Sequence, residues 1–138
     1  MLSAVAALQI TLKTEGNDSF LTALRGQAQV ARAALRMGRA GDLHGHYDGL
    51  ADHDVIVEAG RVALLRTLIV SAGWRGQGLG VSLFTAACQI ARRRGAQALY
   101  VHAVPLDGAG DPAGFYRKRG MAIVRSDSVG RPYLRAAI

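Results

Sequence analysis

Cysteine and lysine are two residue types that this sequence almost lacks. The single cysteine, Cys88, excludes an internal disulfide and a metal site built from several cysteines. Because Cys88 falls on the apolar face of a predicted helix, we interpret it as a small buried hydrophobic residue and not as a nucleophile. The only lysines are Lys13 and Lys118, and neither belongs to a Gly-Lys-Ser/Thr sequence. The chain therefore has no Walker A loop for a nucleoside triphosphate.

Acidic residues are missing from a long central part of the chain, because no Asp or Glu occurs between Glu58 and Asp107. A dinucleotide-binding turn needs the pattern G-x-G-x-x-G, followed about 20 residues later by an acidic residue. Neither Gly76 nor Gly78 begins that pattern, and the acidic residue is missing as well. The sequence therefore also argues against a dinucleotide-binding fold.

Long apolar runs are absent too, since none approaches the roughly 20 residues that a membrane-spanning helix needs. The opening MLSAVAALQI has no basic start and leads into TLKTEG, so we predict a strand there and not a signal peptide. A cytoplasmic location is the corresponding expectation. With 138 residues, of which 50% are hydrophobic, the chain is predicted to form a single domain over residues 1–138.

The stretch from residue 62 to residue 95 contains the strongest local signals. It begins with VALLRTLIV, an almost continuous apolar run that predicts a strand buried on both faces. It ends with VSLFTAACQIARRRG, which predicts a helix that stops at Gly95 and carries three arginines in its last turn, where the helix dipole favours cations. The apolar positions at helical spacing are Val81, Phe84, Ala87, Cys88 and Ala91.

A glycine-rich turn, RGQGLG at residues 75–80, joins this strand to this helix. The first backbone N–H groups of a helix have no partner within the helix, and the helix dipole adds partial positive charge at the same place. A turn of this kind predicts a binding site for phosphate.

The turn resembles the acetyl-CoA signature of the GNAT superfamily of N-acetyltransferases, Arg/Gln-x-x-Gly-x-Gly/Ala, through Arg75, Gly78 and Gly80. A second segment, AGFYRKRGM at residues 113–121, is similar to the family's A-x-x-x-Y-x-K-x-G-F segment. The resemblance covers about residues 54–124. It implies an α/β (α+β) fold with a mixed, mostly antiparallel sheet of about six or seven strands, about four flanking helices and a splayed central strand pair.

The resemblance also implies a site. Acetyl-CoA is the expected co-substrate, no metal is expected, and Tyr116 takes the position of the acid that protonates the departing thiolate. The family often has an Asn in the loop before this segment, where the nearest polar residues here are Asp107 and Asp111. The residues implied for cofactor binding are Leu68, Ile69, Val70, Arg75, Gly76, Gln77, Gly78, Leu79, Gly80 and Tyr116.

The general base is less well defined by the resemblance. Family members often place a Glu on the central strand, one position before the residue aligned with Thr67, and this chain has Arg66 there. A guanidinium cannot accept a proton, so Arg66 is interpreted as an ion-pair partner or as an anchor for an acidic acceptor. We predict Glu58 as the catalytic base, acting directly or through water. His53 and His102 are the alternatives, because imidazole titrates in the appropriate range.

The remaining segments predict further elements around this centre. Residues 3–12 favour a strand. A helix is expected from Asp18 or Ser19 to residues 38–41, with an apolar stripe through Leu21, Leu24, Ala28, Ala31 and Leu35, and a basic stripe through Arg25, Arg32, Arg36 and Arg39. Residues 54–58 predict a strand antiparallel to VALLRTLIV. The later elements are strands at 98–104, 121–125 and 132–137, and a helix at 113–119 capped by Asp111.

Three histidines, His44, His46 and His53, lie within the polar segment 41–54. A zinc site is one hypothesis. We favour the other, surface histidines near an acceptor cleft, because a loop does not fix the ligand geometry that zinc requires.

The net charge of +7 indicates an anionic partner, and both coenzyme A and nucleic acid fit that description. The leading prediction is an N-acetyltransferase that transfers an acetyl group from acetyl-CoA to a primary amine of a small molecule or amino-acid-like acceptor. One alternative is a catalytically inactive acetyl-CoA-binding module that regulates a partner protein. The other is a basic nucleic-acid-binding protein, which the absence of interleaved aromatic residues disfavours.

Two narrower expectations concern relatives and partners. The run VALLRTLIVSAGWRGQGLG, with ALYV and VRSDSVGRPYLRAA after it, is similar to the GNAT branch associated with arsenic-resistance operons. Homodimers are common in the family, and the final segment PYLRAAI is predicted as an exposed strand that could pair across a dimer.

Overall fold

Seven strands form one mixed sheet in the computed structural model, which describes residues 7–43, 55–105 and 112–138. The strands are β1 (Leu8–Glu15), β2 (Asp18–Arg25), β3 (Ala28–Gly38), β4 (Val62–Val70), β5 (Ala98–His102), β6 (Ala122–Ser126) and β7 (Pro132–Ala137). The helices in these ranges are α1 (Ala40–Leu43), α2 (Leu79–Arg93) and α3 (Pro112–Lys118), with a 3-10 turn at Ala72–Trp74.

The strand order across the sheet is β1-β2-β3-β4-β5-β7-β6, and only β4 and β5 run parallel. The predicted fold, a mixed and mostly antiparallel sheet with flanking helices, is therefore confirmed. None of the helices in the described ranges is long and apolar enough to cross a membrane.

The long helix predicted from Asp18 or Ser19 to residues 38–41 is wrong, because two strands, β2 and β3, occupy that segment. They form an antiparallel hairpin in which Arg25 pairs with Ala28, so that only two residues make the turn. The first of these residues is Gly26, whose φ of 61° lies in the left-handed region that favours glycine. The basic stripe predicted on the helix is accordingly divided among β2, β3 and the residue that follows β3.

The helix prediction failed because the segment satisfies two periodicities at once. Leucine and alanine recur at three- and four-residue spacing, and alanine has the highest helix propensity. The same residues also alternate at a period of two, which is the period of a strand. Once the hairpin turn is in place, alternation decides which side chains are buried. The buried residues at alternating positions are Ser19, Leu21 and Ala23 on β2, and Ala31, Ala33, Leu35 and Met37 on β3; Val30, next to Ala31, is buried as well.

The central strand β4 coincides with the predicted VALLRTLIV segment. It pairs in parallel with β5, as predicted, but only over three positions, of which the last joins Leu65 to Val101. Beyond that pair β4 continues to Val70, while its pairing with β5 has ended. The two strands therefore separate and leave a gap between them, which is the expected splayed pair.

A β-bulge lies where this separation begins. On the β3 side, Leu35 pairs with Leu65 and Ala34 pairs with Thr67. Arg66 is thus an extra residue on β4 with no counterpart on β3. Because a bulge bends its strand and increases the local twist, the bulge at Arg66 accounts for the divergence of β4 from β5.

Helix α2 covers one face of the sheet and closes the main core, and it begins two residues before Val81, the predicted start of the helix. Its buried residues are Leu79, Leu83, Phe84, Ala87 and Ala91. Val81, which was predicted on the apolar face, is 37% exposed. The buried stripe instead follows residues spaced four apart from Leu79.

Cys88 is half-buried, and burial raises the pKa of its thiol even though nearby Arg92 lowers it, which agrees with a structural role.

The C-terminal end of α2 is tied to the first hairpin by Arg94. Its Nη1 donates to the hydroxyl of Ser19 at 2.7 Å, and its Nη2 donates to the carbonyl oxygen of Gly16 at 2.7 Å. Ser19 is fully buried, so the arginine satisfies a polar group that would otherwise lack a partner in the core. Arg94, one of the three arginines at residues 92–94, thus connects the end of α2 to the first hairpin.

A smaller core lies on the opposite face of the sheet, built from Leu43, Val55, Val62, Leu64, Ala98, Tyr100 and Tyr133. Residues 55–58 cross this face without forming a strand, so the strand predicted at 54–58 is wrong in its described part. The physical reason is that β3 pairs with one edge of β4 and β5 pairs with the other edge over residues 63–65, which leaves the start of β4 no edge for a further antiparallel partner.

Glu58 is fixed in this smaller core by two partners. The hydroxyl of Tyr100 donates to Oε1, and Arg135 donates to Oε2 from Nε at 2.9 Å and from Nη2 at 2.6 Å. Burial alone would raise the pKa of Glu58, but the hydrogen bonds from Arg135 and Tyr100 outweigh it and hold the pKa below its ordinary value of 4.5. Burial and the adjacent carboxylate raise the pKa of Tyr100 to about 12.

Replacing Glu58 with glutamine is expected to lower the free energy of unfolding at pH 7 by about 1–3 kcal/mol, because a buried charged acceptor is lost. Since the folded-state pKa is depressed, this contribution is present above pH 4.5 and disappears as the pH falls through the folded-state pKa. Urea unfolding of both proteins from pH 7 to pH 3 measures the difference. The matched control is Glu15→Gln, which removes an exposed carboxylate paired with Lys13 and is expected to change nothing measurable.

The two edges of the described sheet are β1 and β6. The final strand β7, predicted as an exposed edge for dimer formation, is instead inserted between β5 and β6, and that prediction is wrong. β7 pairs antiparallel with β5, from the pair His102 and Tyr133 to the pair Ala98 and Ala137. β6, although it precedes β7 in the sequence, therefore lies on the outer side of β7 at the edge of the sheet.

Candidate functional site

A cleft of about 370 Å3 opens between the splayed end of β4, the turn at residues 75–80 and helix α3. It receives residues from both sequence segments that the family resemblance singled out. The cleft is lined by Leu68, Ile69, Val70, Trp74, Arg75, Gly76, Gly78, Leu79, Gly80, Val81, Pro112, Phe115 and Tyr116.

The floor of this cleft is the N-terminus of α2. Gly76 and Gly78 have φ values of 79° and 78°, a conformation that side chains strain, and Gly78 takes the N-cap position without any side-chain cap. The first backbone donor used within the helix is that of Ser82, which reaches the carbonyl of Gly78 at 3.1 Å. The N–H groups of residues 79–81 therefore precede the first helical hydrogen bond and are oriented along the helix axis, where an anion is favoured.

Arg75 fixes the start of this turn. Its Nε donates to the carbonyl oxygen of Val70 at 3.1 Å, which connects the turn to the end of β4. The guanidinium remains exposed beside the cleft. It can add positive charge near the helix N-terminus while holding the turn against the strand.

Close packing against α3 explains the third glycine of the turn. A Cβ atom at Gly80 would lie 3.3 Å and 3.4 Å from two ring carbons of Phe115. Glycine at this position thus lets the first turn of α2 approach the aromatic wall of the cleft.

Tyr116 lies on α3 and is 6% exposed. Its ring packs against Phe84, with centroids 6.1 Å apart, and against Phe115, with centroids 5.3 Å apart in an edge-to-face arrangement. These contacts fix the ring against α2.

A second, smaller pocket of about 180 Å3 occupies the gap where β4 leaves β5. It shares Leu68, Ile69 and Tyr116 with the larger cleft. Its other lining residues are Leu65, Arg66, Thr67, Val101, His102 and Val104. The two cavities therefore meet at the splayed strand and at the side chain of Tyr116.

His102, at the end of β5, is held by two contacts. Its Nε2 lies 2.9 Å from Oδ2 of Asp127, and its ring stacks on that of Tyr133 with centroids 4.2 Å apart. The other oxygen of Asp127 accepts hydrogen bonds from the backbone N–H groups of Val129 and Arg131, each at 2.9 Å. Burial tends to raise the pKa of Asp127, but these backbone bonds and His102 lower it below its ordinary value, so the carboxylate is ionised at neutral pH.

The residues predicted for the cofactor are brought together, with one difference. Nine of them line the larger cleft, whereas Gln77 belongs to the same turn but is not among the lining residues. Glu58, predicted as the base, lies in the smaller core with Arg135 and Tyr100 and lines neither cavity. His44, His46, His53, Asp107 and Asp111 fall outside the described residues. Within the described ranges, no cluster of three or more His, Cys, Asp or Glu could hold a metal ion.

Sequence reasoning missed three contributors to the site: Trp74 and Phe115 in the larger cleft, and Asp127 behind His102. Phe115 is adjacent to the predicted residue Tyr116, but nothing in the sequence indicated that its ring would lie against Gly80 in the glycine-rich turn. Asp127 begins an Asp-x-x-Gly turn before β7, a local pattern that predicts a turn but not a partner 25 residues away.

A splayed parallel strand pair with a glycine turn at the following helix is the architecture of an acyl-CoA-dependent acetyltransferase domain. The family model described as "Acetyltransferase (GNAT) family" matches residues 6–121, and the chain belongs to this family. No curated protein sequence matches the chain significantly. The narrower similarity to the arsenic-resistance branch stays a prediction.

Solved structures with the same fold include the PaiA N-acetyltransferase of Thermoplasma acidophilum in complex with coenzyme A, which has a TM-score of 0.65 and 15% identity over 88% of this chain and 62% of that one. NAA60 of Arabidopsis thaliana in complex with acetyl-CoA has a TM-score of 0.66 and 14% identity, covering 90% and 78% of the two chains. The ribosomal-protein-S18-alanine N-acetyltransferase of Escherichia coli has a TM-score of 0.61 and 15% identity, covering 91% and 72%. The present chain thus spans less than two thirds of the Thermoplasma protein.

Proposed function

We propose that this protein is an N-acetyltransferase that transfers the acetyl group of acetyl-CoA to a primary amine of a small molecule or amino-acid-like acceptor. The observation that carries the proposal is the junction of the two cavities at Tyr116 and the splayed end of β4. A two-substrate transfer needs two binding sites that meet at the reacting atoms, because the amine must approach the thioester carbonyl closely.

The larger cleft suits acetyl-CoA in the groups that line it. The N-terminus of α2 and Arg75 provide donors and positive charge for the phosphates. Beyond Leu65, the β4 edge that faces the gap no longer pairs with β5, and Leu68, Ile69 and Val70 on this part of the strand line the cleft. Backbone groups of an unpaired strand edge are hydrogen-bonding partners for the amide groups of a pantetheine arm. The acetyl end then lies near Tyr116.

The smaller pocket is the proposed acceptor site. It reaches the same junction from the β5 side, and Arg66 is one of its lining residues, with its guanidinium 4.0 Å from Oδ1 of Asp18. In this arrangement Tyr116 protonates the departing thiolate of coenzyme A, because it is the one ionisable side chain that lines both cavities among the described residues. Glu58 as the base stays a prediction, and in this role its carboxylate would act through water while bonded to Arg135 and Tyr100.

A calorimetric titration followed by a turnover assay tests this function. The purified protein is titrated with acetyl-CoA and separately with desulfo-CoA, and both are expected to bind, since the proposed contacts involve the phosphates and the pantetheine arm. Release of coenzyme A is then followed by chromatography with a panel of amines: an alanine-initiated peptide, a lysine-containing peptide, a polyamine and free amino acids. Absence of binding by both coenzyme A compounds would contradict the proposed cofactor.

A catalytically inactive acetyl-CoA-binding module that regulates a partner protein is the second candidate. Arg66 favours it, because the family often has a glutamate at this position and Arg66 lines the acceptor pocket instead. Acetyl-CoA binding without turnover of any amine would support this alternative, and turnover of one amine would eliminate it. The nucleic-acid alternative has lost its main argument, because the basic stripe depended on a helix that is replaced by two strands.

The remaining parts of the proposal concern the domain, the cellular location and the oligomeric state. We propose that residues 1–138 form a single acetyltransferase domain and that the protein acts in the cytoplasm. A mass measurement in solution, such as light scattering after size-exclusion chromatography, tests whether the protein forms a homodimer. If a dimer forms, its interface does not use β7 as an edge strand, because β7 is paired on both sides.

A further inference from the structure

We propose that His102 is the catalytic base that takes the proton of the acceptor amine, and that Asp127 is the residue that positions it. The proposal rests on the acetyltransferase function proposed above and adds the identity of its proton acceptor. The observations that carry it are the place of His102 in the wall of the acceptor pocket and the built support behind its ring.

The location of His102 meets the first requirement of a base. His102 and Tyr116 line the same pocket, so the proposed acceptor and the proposed donor of protons flank one small volume at the strand gap. Glu58 belongs to the same face of the sheet but is displaced toward Tyr100, two residues before His102 on β5, and does not line the pocket. Geometry within hydrogen-bonding reach of the substrate comes before acidity in the choice of a base.

The support behind the ring determines which nitrogen is basic. An ionised carboxylate can only accept hydrogen bonds, so the 2.9 Å contact requires a proton on Nε2 of His102 whenever Asp127 is ionised. In the neutral imidazole the lone pair then belongs to Nδ1, which is the atom that accepts the substrate proton. Once His102 is protonated, the negative charge of Asp127 stabilises the imidazolium.

The orientation of the ring is restricted in three further ways. His102 is only 8% exposed, and the ring of Tyr133 stacks on it at an interplanar angle of 18°. The carboxylate of Asp127 is in turn fixed by the backbone N–H groups of Val129 and Arg131. A carboxylate anchored in a turn, bonded to a buried imidazole that faces a cavity, is more support than a histidine needs for packing alone.

Charged and titratable groups surround His102 on several elements. Asp127, after β6, and Tyr133, on β7, contact it directly. Arg66 on β4 and Tyr116 on α3 line the same pocket. The ion pair of Glu58 and Arg135, with Tyr100, lies one step further along the same face of the sheet. Of these groups, the carboxylate of Asp127 is the one with an oxygen within hydrogen-bonding distance of the imidazole.

The proton balance of the transfer is complete with these groups. The acceptor enters as an ammonium ion and gives one proton to Nδ1 of His102. The amine nitrogen then forms a bond to the thioester carbonyl carbon, and the carbon–sulfur bond breaks. Tyr116 gives its proton to the thiolate. The Tyr116 oxygen then takes up the second proton of the amine nitrogen, which restores its hydroxyl group. His102 releases its proton to water, so that one proton appears in solution for each amide formed.

Kinetics with the amine that the unaltered protein acetylates best are the first test. We expect His102→Gln to lower kcat by about 100-fold, with little change in the KM for acetyl-CoA, and to remove the acidic limb of the pH profile of kcat/KM. We expect Asp127→Asn to lower kcat by about 10-fold or more, because an amide can donate to Nε2 and reverse the tautomer, and Asp127→Glu to restore part of the activity. Glu58→Gln distinguishes the two candidate bases. Full activity of folded His102→Gln, with an unchanged pH profile, would overturn the proposal.

A nitrogen NMR measurement decides the tautomer without turnover. In the unaltered protein, labelled with nitrogen-15, the imidazole of His102 is expected as the Nε2–H tautomer at neutral pH, and the His102→Gln spectrum assigns the signal. A predominant Nδ1–H tautomer would contradict the proposal, since that nitrogen could not accept the substrate proton. Because this readout requires neither acetyl-CoA nor an acceptor, failure of the acetyltransferase function and failure of the base assignment are distinguishable.

Discussion

Replacing Gly78 with glutamate is expected to weaken acetyl-CoA binding by about 100-fold, or about 2.7 kcal/mol. Two effects act together. The φ of 78° at Gly78 lies in a region that any side chain strains, so the turn must change shape. The new carboxylate also stands at the helix N-terminus, where it competes with and repels the phosphates that the backbone N–H groups would bind. Isothermal titration with acetyl-CoA measures the change.

The matched control for this variant lies at the other end of the same helix. Gly95 has a φ of 86° and, like Gly78, has no heavy atom within 4 Å of where a Cβ would be placed. Gly95→Glu therefore introduces a comparable backbone strain and the same charge, but far from the cleft. It is expected to lower the melting temperature as Gly78→Glu does and to leave acetyl-CoA binding within twofold to threefold of the unaltered protein. Equal losses of affinity in both variants would mean that general instability, and not a phosphate site, explains the effect.

Replacing Tyr116 with phenylalanine is expected to lower kcat by about 100-fold while the Kd for acetyl-CoA changes little. The substitution keeps the ring, so the contacts with Phe84 and Phe115 are retained and the fold is preserved. Only the hydroxyl that would protonate the thiolate is removed. Steady-state kinetics across pH, with calorimetry for the binding step, separate the loss of chemistry from a loss of affinity.

Tyr100→Phe provides the comparison for the Tyr116 variant. Its hydroxyl bonds Glu58 and accepts from the backbone N–H of Val57 at 3.1 Å, so its loss is expected to reduce stability. Since Tyr100 lines neither cavity, kcat is expected to stay within about threefold of the unaltered value at a temperature where the variant is folded. A large fall in kcat for Tyr100→Phe, with Tyr116→Phe fully active, would move the proton chemistry to the Glu58 cluster.

The bulge at Arg66 connects the fold to the proposed chemistry. It bends β4 next to the last position where β4 and β5 are paired, and the resulting gap is the proposed acceptor pocket. Arg66 is also the residue where the family often has its carboxylate base. His102, which we propose takes over this role, lies on the neighbouring strand and lines the same gap as Arg66.

Local signals were sufficient for the centre of the chain. The strand VALLRTLIV, the glycine turn and the helix at residues 79–93 were each specified by adjacent residues, since backbone donors at a helix start and an apolar run depend only on neighbours in sequence. The same holds for Tyr116 and α3. The N-terminal segment was the opposite case, because alanine and leucine there fit both a helix and a strand, and only the pairing of β2 with β1 and β3 selects the strand.

The sequence by itself thus determined the family, the position of the glycine-rich turn that we propose binds phosphate, and the central strand and helix that flank it. The tertiary structure decided the hairpin of β2 and β3, the insertion of β7 between β5 and β6, and the partners of Glu58 and His102. The physical reason is the range of the interactions. Turns, caps and apolar periodicity act over a few residues, whereas strand pairing and buried polar contacts join residues that are distant in sequence, such as Glu58 and Arg135, and become visible only when the sheet is assembled.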